Sequence, residues 1–226
     1  ADGSNKLSAS DTLDIYIGLN STLDDGDITV ANIESITGSN VADDYVHLTL
    51  DNLGAGAEKE VTIDLGEGEN YFNTRYDAAS NGGKISYTGG DGDDTVYLRL
   101  DAALNKGTVT IHAGNGDNYL FLGNNAAGST GTLSYVGGSG EDEISTGRDL
   151  AVTNGKVTFD LGNDTISDLI TFNDSVGDSN GSVIIQNFDP DSEDEMLFTF
   201  NRGGRATLTD LIVEQATADT SDVIIR

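Results

Sequence analysis

From residue 61 onward, apolar and polar residues alternate in short runs that return every 24 residues. Val61, Ile63 and Leu65 alternate with Thr62 and Asp64, the period-2 signature of a strand that buries one face. The same run restarts at Ile85, Val109, Leu133 and Val157. A repeat of this length marks an architecture built by stacking one small unit on the next. One inward column is Ile63, Tyr87, Ile111, Tyr135 and Phe159; its outward neighbours are Thr62, Ser86, Thr110, Ser134 and Thr158. After a glycine-rich acidic turn comes a second inward column of Phe72, Val96, Leu120 and Ile144. A second turn is opened by Asp77, Asp101, Asn125 and Asp149 and closed by Gly83, Gly107, Gly131 and Gly155, with Ala79, Ala103, Ala127 and Ala151 between. Each unit thus reads as two short strands and two turns. Parallel strands one coil apart lie ~4.8 Å from each other, so every column is a physical stack. The expected fold is all-β: a right-handed parallel β-helix (β-solenoid) with 24-residue coils and irregular end caps.

The pattern also predicts the limits of the array. Units two apart match best, IDLGEGENY with IHAGNGDNY and SYTGGDGDD with SYVGGSGED, which suggests a 48-residue duplication. TGSNVADDYVHLTLD from Thr37 parallels TGGDGDDTVYLRLD from Thr88, with Asp43 and Asp44 matching Asp93 and Asp94, at an offset that demands small insertions. DTLDIYIG from Asp11 reads as an earlier strand in weaker register. Past residue 180 the period fails, leaving a strand, an acidic loop and another strand before a hairpin-like tail. The expected division is 1–36 as N-terminal strands or cap, 37–188 as the solenoid and 189–226 as the C-terminal cap. Terminal repeats should be atypical, because an uncovered apolar face invites aggregation.

Composition then removes whole classes of function. The chain has 226 residues, 39 acids against 11 bases, a net charge of −28, 29 Gly and no Cys. Such a charge repels a polyanion, so nucleic acid is not an expected partner. Without cysteine there are no disulfides and no thiol metal sites. No apolar run approaches the ~18 residues that span a bilayer, so membrane insertion is not expected. No signal peptide opens the chain, so its first residue reads as a mature end or a cut edge. Regular β-branched runs argue against the disorder that acidity alone would suggest.

The chemistry lies in the first turn. Glu69, Asp93, Asp117 and Glu141 form one column, and Asn70, Asp94, Asn118 and Asp142 form the next. Carboxylates stacked at strand spacing repel one another. A hard divalent cation between coils removes that penalty. Calcium suits a ligand set of carboxylate, amide and backbone oxygens with no Cys or His. The plainer reading is that these are polar turn residues of a soluble solenoid without any ion.

At these turns the chain resembles the repeats-in-toxin (RTX) family. GGDGDDTVY at 89–97 and GGSGEDEIS at 137–145 fit its nonapeptide GGxGxDxUx, a calcium-binding parallel β-helix repeat. The resemblance implies that Asp94 and Asp142 are side-chain calcium ligands and that Val96 and Ile144 are the buried apolar residues. Asn70 and Asn118 stand in degenerate copies. GNDTI at 162–166 is a shortened copy with Asp164 in the ligand place, and Asp91 and Asn163 add oxygen donors. The segment from Ile184 with Asp189 and Asp194 resembles the closing segment found after such rolls. The family repeats on both sides of the coil, whereas here the motif returns once per 24 residues, so one edge should carry calcium.

ITVANIESITGS at 28–39 resembles a segment of bacterial surface-layer and adhesin proteins. The resulting expectation is an extracellular, calcium-dependent structural module at the bacterial cell surface, secreted by a type I pathway and associating with itself into a lattice or matrix. Cell-surface polysaccharide is a further expected partner. Alternatives are an accessory module of a secreted polysaccharide epimerase, lipase or protease, and a glycan- or ice-binding adhesin module. His47 and His112 are single, and no Ser-His-Asp or HExxH arrangement appears, so no catalytic residue is expected.

Overall fold

Alternation in sequence becomes three stacked parallel sheets. The computed structural model describes residues 13–14, 35–38, 43–51, 54–55, 59–76, 78–173, 177–178, 181–199, 213–215 and 223–225. They build a β-solenoid of about six turns, with a single 3-10 turn at Pro190–Ser192 as the one helical element among them.

Sheet A stacks the first strand of each unit: Glu60–Asp64, Lys84–Asp91, Thr108–Asn115, Thr132–Val136, Lys156–Asp160 and Ser182–Gln186. Val61, Ile85, Val109, Leu133 and Val157 pair in register, and Val157 then pairs with Val183, 26 residues on. Sheet B stacks the second: Tyr45–Asp51, Tyr71–Tyr76, Thr95–Leu100, Tyr119–Asn124, Glu143–Thr146, Leu169–Asn173 and Glu195–Thr199. Both expected inward columns are there. Ile63, Tyr87, Ile111, Tyr135 and Phe159 are buried from sheet A, and Phe72, Val96, Leu120 and Ile144 from sheet B.

The second turn holds more structure than its composition suggested. Its alanines form a third parallel sheet, C, of two-residue strands such as Ala79–Ser80, Ala103–Leu104, Ala127–Gly128 and Ala151–Val152. Each coil therefore has three sides. The small residues are dictated by close approach: a Cβ at Gly107 would sit 2.1 Å from the Ala79 carbonyl oxygen, and Gly131 and Gly155 meet Ala103 and Ala127 in the same way. The residues opening this turn, Asp101, Asn125 and Asp149, are left-handed with φ of 49°, 55° and 54°. Asx side chains tolerate that conformation best among non-glycines. Asp77, which shares the column, lies outside the described residues.

The parallel ladder continues past both expected boundaries. Leu13 pairs with Ile36 and Asp14 with Thr37, and Glu195–Thr199 pairs parallel with Leu169–Asn173. Among the described residues, strand direction changes only at the C-terminal side of sheet A, where Val223–Ile225 runs antiparallel to Ser182–Gln186 and Val213–Gln215 adds to it. An antiparallel pair ends the parallel repeat.

Candidate functional site

The Gly-acid turns join sheet A to sheet B along one edge, and two side-chain columns run down it. The inner column is Asp44, Asn70, Asp94, Asn118, Asp142, Asp168 and Asp194, all between 1% and 8% exposed. The outer column is Asp43, Glu69, Asp93, Asp117 and Glu141, all exposed. Adjacent residues thus have opposite surroundings, because they straddle the point where the chain turns from one sheet into the next.

A buried backbone N–H must find an acceptor, and the inner column supplies it from one coil further on. The N–H groups of Asp44, Asn70, Asp94, Asp142 and Asp168 donate to Oδ1 of Asn70, Asp94, Asn118, Asp168 and Asp194, at 2.8 to 3.0 Å. Every such bond clips two coils together. Asn118 makes its contact through Nδ2, which donates to Asp142 Oδ1 at 3.1 Å.

The coils differ in what the second polar atom does. Asn70 Nδ2 donates to the turn carbonyls of Gly66 and Gly68 at 3.0 and 3.2 Å. Asn118 Nδ2 does the same to Gly114 and Gly116 at 3.3 and 2.9 Å. Glycine carbonyls bent inward are the oxygens a cation would seek, and in these coils an amide already holds them. In the Asp coils the second oxygen turns the other way. Oδ2 of Asp94 and of Asp142 has no partner in good hydrogen-bond geometry. It faces the hydroxyl of Tyr87 or Tyr135, each equally buried and unpaired. Space for it comes from Gly89 and Gly137, where an added Cβ would fall 1.7 and 1.8 Å from Asp94 and Asp142 Oδ2. The Asn coils carry Leu65 and Ala113 at that place, and Ile63 and Ile111 where the tyrosines stand. The 48-residue duplication is therefore an alternation of Tyr-Gly-Asp coils with Ile-Leu-Asn and Ile-Ala-Asn coils.

Burial has a protonation consequence. Loss of water pushes Asp94, Asp142 and Asp168 up to about 7. The remaining hydrogen bonds pull the other way without offsetting it. Burial likewise raises the tyrosine hydroxyls, helped by the facing carboxylates. A carboxyl in this range carries its proton for part of the time near neutrality, so it can donate toward the tyrosine oxygen.

The outer column is hydrogen-bonded yet open to solvent. Glu69, Asp117 and Glu141 donate their N–H to Asp43, Asp93 and Asp117 Oδ1 at 3.0, 2.8 and 2.9 Å. Beside it, Asn115 Nδ2 donates to Asp91 Oδ1 at 2.7 Å and Ser139 Oγ to Asn115 Oδ1 at 2.9 Å. These bonds hold the carboxylates at coil spacing although they repel.

At the C-terminal turns the column differs from the sequence expectation. Asp168, not Asp164, continues the inner ladder, since Asp142 donates to it across 26 residues. Asp164 sits off the inner ladder: Oδ1 accepts from Ile166 N–H in its own turn and Oδ2 from Gly140 N–H one coil earlier, while Asn163 is exposed beside it. Asp194 is the last rung, accepting from Asp168 through Oδ1 and from Asp189 through Oδ2. Asp189 caps the 3-10 turn, accepting from Asp191 N–H and Ser192 Oγ, contacts that lower its pKa. A longer loop hid Asp168 from period counting. The signal that finds it is Asp or Asn two residues before an inward apolar residue, as in Asp142-Glu143-Ile144 and Asp168-Leu169-Ile170.

For calcium the donor set is mixed. The inner-column Oδ1 atoms from Asn70 to Asp194 are engaged by N–H groups. The second oxygens of Asp94 and Asp142 face tyrosine hydroxyls, and half of the central coils present an amide. The outer column offers accessible oxygens only, which fits a hard cation with water completing its shell. Among the described residues, no three acidic or histidine side chains converge as a ready-made metal cluster. No family model, curated protein or solved structure matches the chain.

Proposed function

We propose that this chain is a calcium-dependent structural module of a secreted bacterial surface protein, of RTX type, acting as a rigid building block of a surface layer or extracellular matrix. The supporting observation is the outer column Asp43, Glu69, Asp93, Asp117 and Glu141, fixed in place by backbone hydrogen bonds on a chain of net charge −28. A strand-built rod of this kind resists bending, and its repulsion is largest along one edge. Divalent ions bridging successive carboxylates relieve that repulsion within a rod, and ions bridging two edges join rods side by side. Affinities in the millimolar range typical of extracellular modules are expected.

The test is a calcium titration followed by circular dichroism, light scattering and electron microscopy, with magnesium as control. Calcium should raise the melting temperature and produce sheets or filaments, and magnesium should substitute poorly because it holds its waters and demands octahedral geometry. Removal of the outer acids, as in Asp93→Asn with Asp117→Asn, should weaken both effects. Identical melting and strict monomers at every calcium concentration would sink the reading. Stabilisation without association would instead favour the accessory module of a secreted enzyme.

A further inference from the structure

Sheet B turns an aromatic surface outward that neither the core nor the acidic edge uses. Tyr71, Tyr97, Tyr119 and Phe121 lie at its outward, half-buried positions. The Tyr97 ring centroid lies 5.6 Å from Tyr71, 5.7 Å from Tyr119 and 5.7 Å from Phe121, and the ring planes are inclined by 42° to 57°. By contrast, Tyr45 and Tyr71 lie flat on one another, 4.4 Å apart at 3°, with those faces used up. Inclined rings keep part of a face open to solvent. Polar groups are held among them: Asn73 Nδ2 donates to the Tyr71 hydroxyl at 3.0 Å, and Arg99 Nε donates to Asn73 Oδ1 at 3.2 Å. The Arg99 guanidinium also lies 5.5 Å from the Tyr97 ring centre.

We propose that this face, centred on Tyr97 and Phe121, binds an uncharged, extended polysaccharide. Three features select that occupant. First, the outward positions from Tyr71 to Gly123 on the three adjoining strands carry no acid, although the chain carries 39. A cationic polymer would go to the acidic edge, and an anionic one would be repelled by the whole molecule. Second, the aromatic positions recur along the stack, Phe121 one coil from Tyr97 and Tyr119 two coils from Tyr71, so they run lengthwise along the solenoid, which suits an extended chain as ligand. Third, a pyranose ring presents a face of C–H hydrogens made slightly positive by neighbouring oxygens. Such a face meets the negative face of an aromatic ring, while its hydroxyls meet the exposed Arg99 and the tyrosine O–H groups, with the buried Asn73 holding Tyr71 and Arg99 in place. The surface is independent of the calcium reading, being on sheet B and not on the acidic turn edge; Glu143, beside Tyr119 one coil on, marks its border.

The experiment is native affinity electrophoresis of the full chain in gels containing soluble glucomannan, galactomannan, hydroxyethylcellulose or laminarin, with alginate as the anionic control. Binding to any polymer that retards the chain is then quantified by titration calorimetry on its oligosaccharides. At least one neutral polymer should retard the wild type, and alginate should not. Tyr97→Ser and Phe121→Ser should each weaken binding by tenfold or more; serine stands in this column one coil on, at Ser145, so the backbone accepts it. Thr62→Ala, on the outer face of sheet A, should bind as wild type, and circular dichroism of each variant checks its fold. Retardation by no neutral polymer, by alginate alone, or equally for wild type and folded Tyr97→Ser and Phe121→Ser, overturns the proposal. So does capture of apolar peptides in place of glycans. Repeating the gels in chelator separates this result from the calcium reading, whose failure leaves the aromatic face intact.

Discussion

At residue scale the informative unit is the trio of Tyr135, Gly137 and Asp142. Glycine leaves the room, the carboxyl turns into it, and the tyrosine hydroxyl faces the carboxyl. Gly137→Ala places a methyl 1.8 Å from Asp142 Oδ2 with no other atom nearer than 3.0 Å. It should destabilise by about 1–3 kcal/mol, in line with overpacking elsewhere. Adding Asp142→Asn lets the side chain rotate toward the turn carbonyls, as Asn118 does beside Ala113, so the double variant should recover much of the loss. Denaturant melts of the four proteins check this, and simple additivity would refute the coupling. The same trio gives a pH dependence. Asp94, Asp142 and Asp168 reach about 7 when folded against an ordinary value of 3.8. The folded state therefore holds more protons than the unfolded one between those values. Stability from these groups is full below about pH 4 and is lost as pH rises through about 7. Asp94→Asn should raise the melting temperature at pH 8, by about 2–4 °C per kcal/mol recovered, and change little at pH 4. Thermal melts across pH in chelator decide, and a variant that gains equally at both pH values would contradict the assignment.

At the scale of elements, much of this was legible in the chain because register in a parallel stack is written as a fixed period. Sheets A and B, their inward columns and the acidic turns all follow from alternation and from Gly66, Gly90 and Gly114 at equal intervals. Sheet C was not legible, since two-residue strands of alanine are too short to alternate. Nor was Asp168, because loops absorb extra residues without changing the rung. The opposite surroundings of Asp93 and Asp94 also escaped composition, for a turn places neighbours on different sides. The far corner shows a similar economy of position. Residues 82, 106, 130 and 154 stack there as Gly82, Lys106, Thr130 and Asn154, with φ of 85°, 66°, 67° and 64°. A β-branched residue in the left-handed region is strained. Thr130→Gly should accordingly stabilise the protein by about 1 kcal/mol, measured by denaturant unfolding. An equal or lower stability would show that the lost chain freedom outweighs the relief.

For the whole molecule, stacking makes each coil depend on its two neighbours, and charge makes every coil repel the rest. The inner column reads Asp, Asn, Asp, Asn from residue 44 to residue 118, so a neutral amide separates successive buried carboxyls. From Asp142 through Asp168 to Asp194 that separation is lost, and the charges of Asp142 and Asp194 add to the upward shift of Asp168. Three buried acids on consecutive coils make this the electrostatically weaker end. Nearest-neighbour stability in a stacked array means such an end opens without unfolding the centre. Amide hydrogen exchange should therefore show the strongest protection between 85 and 136, falling toward Leu169–Asn173 and Glu195–Thr199. Acidification from pH 8 to pH 5.5 should slow opening there more than at the centre, after correction for the intrinsic pH dependence of exchange, because protonation removes both burial cost and repulsion. Asp168→Asn should reproduce that gain at pH 8 by restoring the Asp-Asn-Asp order. Its amide can still offer Oδ1 to the Asp142 N–H, so the rung itself is kept. Uniform protection from end to end, or a pH response spread evenly over all coils, would mean that the solenoid opens as one unit and that the order of acids along the column does not set its weak point.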